Sequence, residues 1–141
     1  MSRVLDIVHQ RTLFSVEEHE PVAEVARKMA DLHVGAILVF NGLELRGVFS
    51  ERDLMKRVVV ARCDAESTPV GSVMTTDIAT IEESATLEEA MECMVAHSCR
   101  HLPVTRDGAV VAFLSMRDLM NYELAQKTEE IHHMRQYISN A

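Results

Sequence analysis

The chain has 141 residues, with 14 basic and 22 acidic side chains, a formal charge of −8 at pH 7 and a hydrophobic fraction of 48%. This composition excludes a disordered or fibrous chain, no apolar run reaches the roughly 20 residues of a membrane span, and the acidic balance argues against a general nucleic-acid binder. The first ten residues lack the apolar stretch of a signal peptide, and Cys63, Cys93 and Cys99 show no CxxC spacing, so we expect a reduced, cytoplasmic protein.

In chain order, the pattern predicts a short strand at residues 12–16 and a helix that begins near Pro21. Two apolar strands follow at residues 36–40 and 45–49, separated by an Asn-Gly pair that is typical of a tight hairpin. A second helix is predicted to begin at Ser50. The predicted unit is therefore βαββα.

The same unit occurs a second time. A shift of 65 residues aligns residues 16–57 with residues 81–122 without a gap, and ten of the 42 pairs are identical. The second copy predicts a strand at 78–81, a helix capped by Thr86, strands at 101–105 and 109–114 around an Asp-Gly pair, and a helix from Ser115. We interpret the chain as a tandem duplication.

The identities concentrate where each third strand enters a helix, at Ser50-Glu51-Arg52-Asp53 and Ser115-Met116-Arg117-Asp118. Serine and aspartate at these positions can cap the first turn of a helix. The same position can also bind phosphate, and a carboxylate there can accept both hydrogens of a ribose diol. Because a cap alone needs no arginine, the retained Arg52 and Arg117 favour ligand binding.

These features together resemble a CBS-domain pair, the regulatory module named after cystathionine β-synthase and also called a Bateman module. The resemblance covers residues 3–122. It is carried by the duplication, the two Ser-x-x-Asp elements, the Arg-His-Leu-Pro-Val run at 100–104 and the Val-Gly-Ser-Val-Met-Thr run at 70–75. It implies an α+β fold of tandem βαββα repeats packed about a pseudo-twofold axis. We expect a first repeat at 1–62, a linker at 63–70, a second repeat at 71–125 and a C-terminal helix at 126–141, in a stand-alone module.

The resemblance also implies a function, because modules of this family commonly bind AMP, ADP, ATP, NAD(H) or S-adenosylmethionine and regulate a partner. We expect AMP as the first ligand, a homodimer and an unidentified regulated protein. Asp53 and Asp118 would accept the ribose hydroxyls, Ser50 and Ser115 would lie beside ribose or phosphate, and Arg52 and Arg117 near phosphate.

In the family, each ligand cleft is built from both repeats. The resemblance therefore groups Asp53 with Ile78, Ala79, Cys99, Arg100 and His101, and it groups Asp118 with Leu13, Phe14, Val34, Gly35 and Ala36. Because Arg100 and His101 correspond to Gly35 and Ala36 in the first copy, we expect the Asp53 cleft to be the better site for a phosphorylated nucleotide.

Other functions have weaker support. His132 and His133 are adjacent, so on a helix they point about 100° apart and make a poor metal-binding pair. The chain has no GxSxG, GxGxxG or Walker motif, so we expect neither an enzyme nor a metal site. The alternative function is a ligand-free interaction scaffold with the same fold.

The C-terminal segment leaves two interpretations open. Leu124, Ile131 and Ile138 are seven residues apart, and Lys127 and Met134 lie at the intervening positions of the repeat. The segment is either an amphipathic helix folded onto its own module or a helix that packs against a second protomer.

Overall fold

The computed structural model describes residues 1–9 and 11–140. Its elements are α1 (Val4–Val8), β1 (Ser15–Glu17), α2 (Val22–Leu32), β2 (Ala36–Asn41), β3 (Glu44–Ser50), α3 (Glu51–Asp53), which continues as a π-helical stretch (Leu54–Val59), a 3₁₀ turn (Val70–Ser72), β4 (Ile81–Glu82), α4 (Leu87–Ala96), β5 (His101–Arg106), β6 (Ala109–Ser115) and α5 (Met116–Ser139). The fold is α+β, as the sequence predicts.

The two repeats form two equivalent three-stranded sheets. The strand order is β1-β2-β3 in one sheet and β4-β5-β6 in the other. In each sheet the first strand runs parallel to the second, and the second pairs with the third as an antiparallel hairpin. The predicted βαββα duplication is therefore confirmed.

The chain divides into two compact units. The first-repeat unit is Thr12–Thr80, and the second-repeat unit combines Met1–Arg11 with Ile81–Ala141. The N-terminal helix α1 belongs to the second-repeat unit, because the Val4 N–H donates to the Ala85 carbonyl and the Leu5 N–H to the Glu83 carbonyl, both at 2.9 Å. The compact units are thus divided differently from the sequence repeats.

Each unit has buried apolar side chains on its sheet and on its helices, and the central strands β2 and β5 are buried at consecutive positions, hence on both faces. In the first-repeat unit, Ile37, Val39 and Phe49 of the sheet cluster with Val25 and Met29 of α2. These helix positions are four residues apart, so they share one face. In the second-repeat unit the buried apolar side chains include Val4, Ala90, Met94, Leu102, Val104 and Leu114.

The bounds of β1, β4 and α5 differ from the sequence predictions. β1 and β4 begin at Ser15 and Ile81 rather than at residues 12 and 78, and they pair with the neighbouring strand over only three and two positions. α5 runs without interruption from Met116 to Ser139, since no glycine or proline follows Ser115 to end it. The last helix of the second repeat and the expected C-terminal helix are therefore one element.

No helix within the described part of the chain has the length and apolar character that crossing a membrane requires.

Candidate functional site

The first Ser-x-x-Asp element lies where β3 enters α3. Ser50 adopts an extended conformation (φ −121°, ψ 165°) and caps the helix, because its Oγ accepts the Asp53 N–H at 3.2 Å. The Asp53 Oδ2 in turn accepts the Ser50 N–H at 3.1 Å and the Ser50 hydroxyl at 3.1 Å. This reciprocal capping box holds the carboxylate in one orientation at the start of the helix.

A threonine from the segment after the 3₁₀ turn also reaches this carboxylate. The Thr75 hydroxyl lies 3.0 Å from Asp53 Oδ1 and 3.2 Å from Oδ2. Arg57 is farther away, with its Nε 3.7 Å from Oδ1, and it donates to the Met74 carbonyl at 2.7 Å. Asp53 is only 7% exposed. The hydrogen bonds to this buried carboxylate thus come from neutral donors, the Ser50 N–H and the hydroxyls of Ser50 and Thr75.

Gly47 allows the Thr75 segment to approach so closely. The backbones of Thr75 and Val48 exchange two hydrogen bonds of 2.9 Å. A Cβ on Gly47 would lie 2.5 Å from the Thr75 carbonyl oxygen and 2.8 Å from the Met74 sulfur. The absence of a side chain at residue 47 thus allows Thr75 to lie where its hydroxyl can donate to Asp53.

The second Ser-x-x-Asp element repeats the capping geometry where β6 enters α5. The Ser115 Oγ accepts the Asp118 N–H at 3.0 Å, and the Asp118 Oδ2 accepts the Ser115 N–H at 2.8 Å. In each repeat, the N–H of the first helical residue donates to the carbonyl of the residue that precedes the hairpin. Glu51 donates to Gly35 at 2.9 Å, and Met116 donates to Arg100 at 2.8 Å.

The two elements differ in the donor that faces the carboxylate. At Asp118 that donor is Arg11, whose Nη1 and Nη2 lie 2.7 and 2.9 Å from the two carboxylate oxygens. Partial burial by itself raises the pKa of Asp118, but the hydrogen bonds from Arg11 and Ser115 outweigh it and the pKa is lowered. Asp118 is therefore held as a bidentate ion pair, whereas Asp53 is held by hydroxyl and amide donors.

The sequence analysis named both aspartates and both serines as candidates, but not Arg11 and Thr75, which contact the two carboxylates. The position of Arg11 in the repeat could have indicated its role, because the 65-residue shift aligns Arg11 with Thr76, next to Thr75. The two donors thus come from equivalent segments ahead of β1 and β4. Their chemical difference, a guanidinium against a hydroxyl, concealed the equivalence.

The remaining predicted site residues are divided between the two units. Arg52 and Arg117 are exposed, each within its own Ser-x-x-Asp element, and Phe14 is 43% exposed. The first-repeat unit contains Asp53 together with Leu13, Phe14, Val34, Gly35, Ala36, Ile78 and Ala79. The second-repeat unit contains Asp118 together with Cys99, Arg100 and His101.

The predicted residues at the start of β5 have distinct surroundings. Arg100 is exposed, and the imidazole of His101 stacks on Phe113 with ring centroids 5.2 Å apart. Burial raises the pKa of the Cys99 thiol, which makes it a poor nucleophile at neutral pH. Within the described residues, no three His, Cys, Asp or Glu side chains are grouped to hold a metal ion.

The family is decided by comparison with known proteins. The model of the CBS domain matches residues 4–60 and again residues 70–125. The chain belongs to the CBS-domain family. The two matched regions each contain one Ser-x-x-Asp element, so the chain is a tandem pair of CBS domains.

Solved CBS structures have the same fold. A signal-transduction protein with CBS domains from Burkholderia ambifaria superposes with a TM-score of 0.84 at 29% identity, covering 88% of this chain and 95% of that one. The CBS domain protein PAE2072 from Pyrobaculum aerophilum, solved in complex with AMP, gives a TM-score of 0.74 at 30% identity, covering 82% and 88%.

Several curated relatives that this chain matches are longer than the chain. The mitochondrial CBS domain-containing protein CBSX3 of Arabidopsis thaliana is 27% identical over 124 residues, which is 84% of this chain and 60% of that protein. Two further CBS proteins of the same plant are matched over 22% of their length.

Proposed function

We propose that this CBS pair is a regulatory module that binds an adenosine-containing ligand through its two Ser-x-x-Asp elements, with AMP as the first ligand to test. The observation that carries the proposal is the pair of oriented carboxylates at the start of α3 and α5. Further support comes from PAE2072, which is 30% identical to this chain and was solved with AMP.

The chemistry of the carboxylates fits a ribose diol. An ionised carboxylate has four lone-pair directions and accepts two hydroxyl hydrogens well. The capping N–H groups fix each carboxylate before any ligand arrives, so little entropy is lost on binding. Ser50 and Ser115 add a hydroxyl beside the ribose, and the exposed guanidinium groups of Arg52 and Arg117 are suited to phosphate.

The two elements should differ in affinity. At Asp53 a ribose hydroxyl would replace the Thr75 hydroxyl, which exchanges one neutral donor for another. At Asp118 the ligand would have to displace both hydrogen bonds of the Arg11 guanidinium, and charge-assisted bidentate pairs are roughly twice as strong per bond. Asp53 is therefore the proposed stronger site.

The other residues that the family resemblance assigns to the ligand stay part of this proposal. They are apolar or backbone contacts suited to adenine, with one basic pair: Leu13, Phe14, Val34, Gly35, Ala36, Ile78, Ala79, Cys99, Arg100 and His101. ADP, ATP, NAD(H) and S-adenosylmethionine share the adenosine that these groups would recognise. We further propose a cytoplasmic homodimer that signals ligand binding to a partner protein by a conformational change, without catalysis.

The first test varies the ligand and leaves the protein intact. Calorimetric titration with AMP is compared with 2′-deoxy-AMP, 3′-deoxy-AMP and GMP. Because hydrogen bonds to charged groups contribute about 1.5–3 kcal/mol, loss of either hydroxyl should weaken binding roughly 10- to 150-fold. Equal binding of all four nucleotides would contradict recognition of the diol and of adenine.

The second test varies the carboxylates. Asp53→Asn and Asp118→Asn retain the size of the side chain and one oxygen acceptor for the cap, and Asp107→Asn in the exposed turn after β5 is the matched control. AMP at a hundred times its dissociation constant should stabilise the wild type and the control by about 2.7 kcal/mol. Asp53→Asn should abolish most of this gain. Absence of any nucleotide effect on the wild type would instead favour the interaction scaffold.

A further inference from the structure

The second half of α5 extends beyond the core of its unit. Leu119 is fully buried, whereas every described residue from 123 to 140 is exposed. The helix has 24 residues, a length of about 36 Å at 1.5 Å per residue. A helical segment with so few contacts is marginal in water by itself, and most helices in proteins are stabilised by packing of an apolar face.

One face of α5 has a continuous stripe that begins at Met120 and extends along the exposed segment. Its members recur at alternating spacings of four and three residues: Met120, Leu124, Lys127, Ile131, Met134 and Ile138. The five apolar side chains are each 50–70% exposed. Alternation of four and three over almost three heptads is the pattern of a helix that pairs with another helix in a coiled coil. We call these six residues the α5 stripe.

We propose that the α5 stripe pairs with the α5 stripe of a second copy of this chain, with the two helices antiparallel. The inference rests on the homodimer proposed above, for which it names an interface, and it is independent of the proposed ligand. It rests on the self-complementarity of the stripe, in which the one charged member, Lys127, lies next to its centre.

Lys127 decides the direction. In a parallel pair, equivalent positions face each other, so Lys127 would meet the partner's Lys127 inside the seam. In the antiparallel pair, we choose the register in which the residue numbers of two facing stripe positions add to 258. Lys127 then faces the partner's Ile131. The partner's Glu130 then lies within one residue of Lys127 along the axis and on the same side of the seam, so each lysine meets a glutamate.

In the same register, the other four apolar residues of the α5 stripe each face an apolar residue of the partner. Met120 faces the partner's Ile138, and Leu124 faces the partner's Met134. Each apolar layer occurs twice because of the twofold symmetry, as in any isologous interface. Six consecutive layers are thus filled, four of them entirely apolar.

Self-association of the whole protein tests the pairing. Ile131→Asp places a charge at the centre of the stripe, and Gln126→Asp places the same charge on the same helix outside the stripe as the matched control. By analytical ultracentrifugation, Ile131→Asp should weaken self-association at least tenfold, whereas Gln126→Asp should leave it near the wild-type value. Lys127→Leu should strengthen association. Wild-type association that none of these variants changes would overturn the proposal.

Disulfide trapping tests the direction. In a background with Cys63, Cys93 and Cys99 changed to serine, one chain carries Met120→Cys and a second carries Ile138→Cys. Antiparallel pairing predicts a covalent dimer in the mixture of the two chains and little in either chain alone. Covalent dimers in each chain alone would show parallel pairing. Failure to form any covalent dimer in a chain that still associates would place its interface elsewhere. Either result would overturn the proposal.

Discussion

At the residue scale, two equivalent carboxylates are held by different donors. Asp53 accepts hydrogen bonds from the hydroxyls of Ser50 and Thr75, and Asp118 accepts one from Nη1 and one from Nη2 of Arg11. The serine-aspartate caps could be predicted from the sequence, since they follow from a local spacing of three residues. The Arg11–Asp118 pair spans 107 residues, and no local pattern contains such a contact.

The ion pair makes part of the stability dependent on pH. The pKa of Asp118 is lowered in the folded protein, so its contribution is fully present above the unfolded value near 3.9 and is lost as the pH falls through the folded value. Arg11→Ala should cost about 1 kcal/mol at pH 7, because the arginine is 40% exposed and partly screened. Urea unfolding at pH 7 and pH 3 should show this difference shrink at the lower pH. A difference that is the same at both values would contradict the assignment to Asp118.

The hydroxyl of Thr75 can be tested in the same way in the first-repeat unit. Thr75→Val removes the donor to a buried carboxylate and should destabilise the protein by about 1–2 kcal/mol. Thr75→Ser retains the hydroxyl and should recover most of the loss. Thermal unfolding in the absence of nucleotide measures both variants. If serine and valine were equally destabilising, the methyl group of Thr75 would be the important contact instead.

At the element scale, both hairpins are predicted by the sequence, but the first two-residue turn is Gly42-Leu43 rather than Asn41-Gly42, because Asn41 pairs with Glu44 in the ladder. The two-residue turns use positive φ at Gly42 (62°), Asp107 (50°) and Gly108 (82°), which are residue types that tolerate such angles. The conformation of the helix after Ser50 is predicted less well from the sequence. Leu-Met occurs at the same place in both repeats, yet Leu54–Val59 is π-helical while the equivalent part of α5 is a regular α-helix. Tertiary contacts such as that of Arg57 with the Met74 carbonyl distinguish the first helix from the second.

The close packing of β3 against the Thr75 segment predicts a strong effect of Gly47→Ala. The new Cβ would meet a backbone oxygen at 2.5 Å, so the segment must move, and overpacking of this kind costs about 1–3 kcal/mol. Gly35→Ala is the control, since its Cβ would meet only the flexible Glu51 carboxylate at 3.4 Å. Chemical denaturation should therefore separate the two variants clearly. Equal stability of both would show that the Thr75 segment adapts without cost.

At the scale of the whole molecule, the duplication and the fold could be predicted, but the composition of the compact units could not. The sequence analysis assigns residues 1–62, and with them α1, to the first repeat, whereas backbone hydrogen bonds join α1 to residues 83 and 85 of the second. Its five residues contain two fully or nearly buried valines, Val4 and Val8. Burial of these side chains by a distant segment depends on tertiary packing, which local periodicity does not encode.

Because α1 belongs to the second-repeat unit, a substitution in α1 should destabilise that unit more than the other. Val4→Ala leaves a cavity in the core of the second-repeat unit and should cost about 1–3 kcal/mol. Hydrogen exchange should show faster exchange in β5 and β6 and little change in β2 and β3. The surface variant Leu5→Ala, whose side chain is 37% exposed, serves as the comparison. Equal loss of protection in both sheets would show that the two units unfold together.

The discontinuity of the second-repeat unit also sets an order of events during synthesis. Residues 12–80 form one continuous stretch, so this unit can complete its fold while the following residues are still inside the ribosome. The unit that contains α1 cannot, because the partners of this helix at residues 83 and 85 emerge about 80 residues after it. At 5–20 residues per second, the nascent chain holds Val4 and Val8 without their partners for roughly 4–16 seconds. During synthesis α1 therefore exposes two apolar side chains, Val4 and Val8, that are buried in the folded protein.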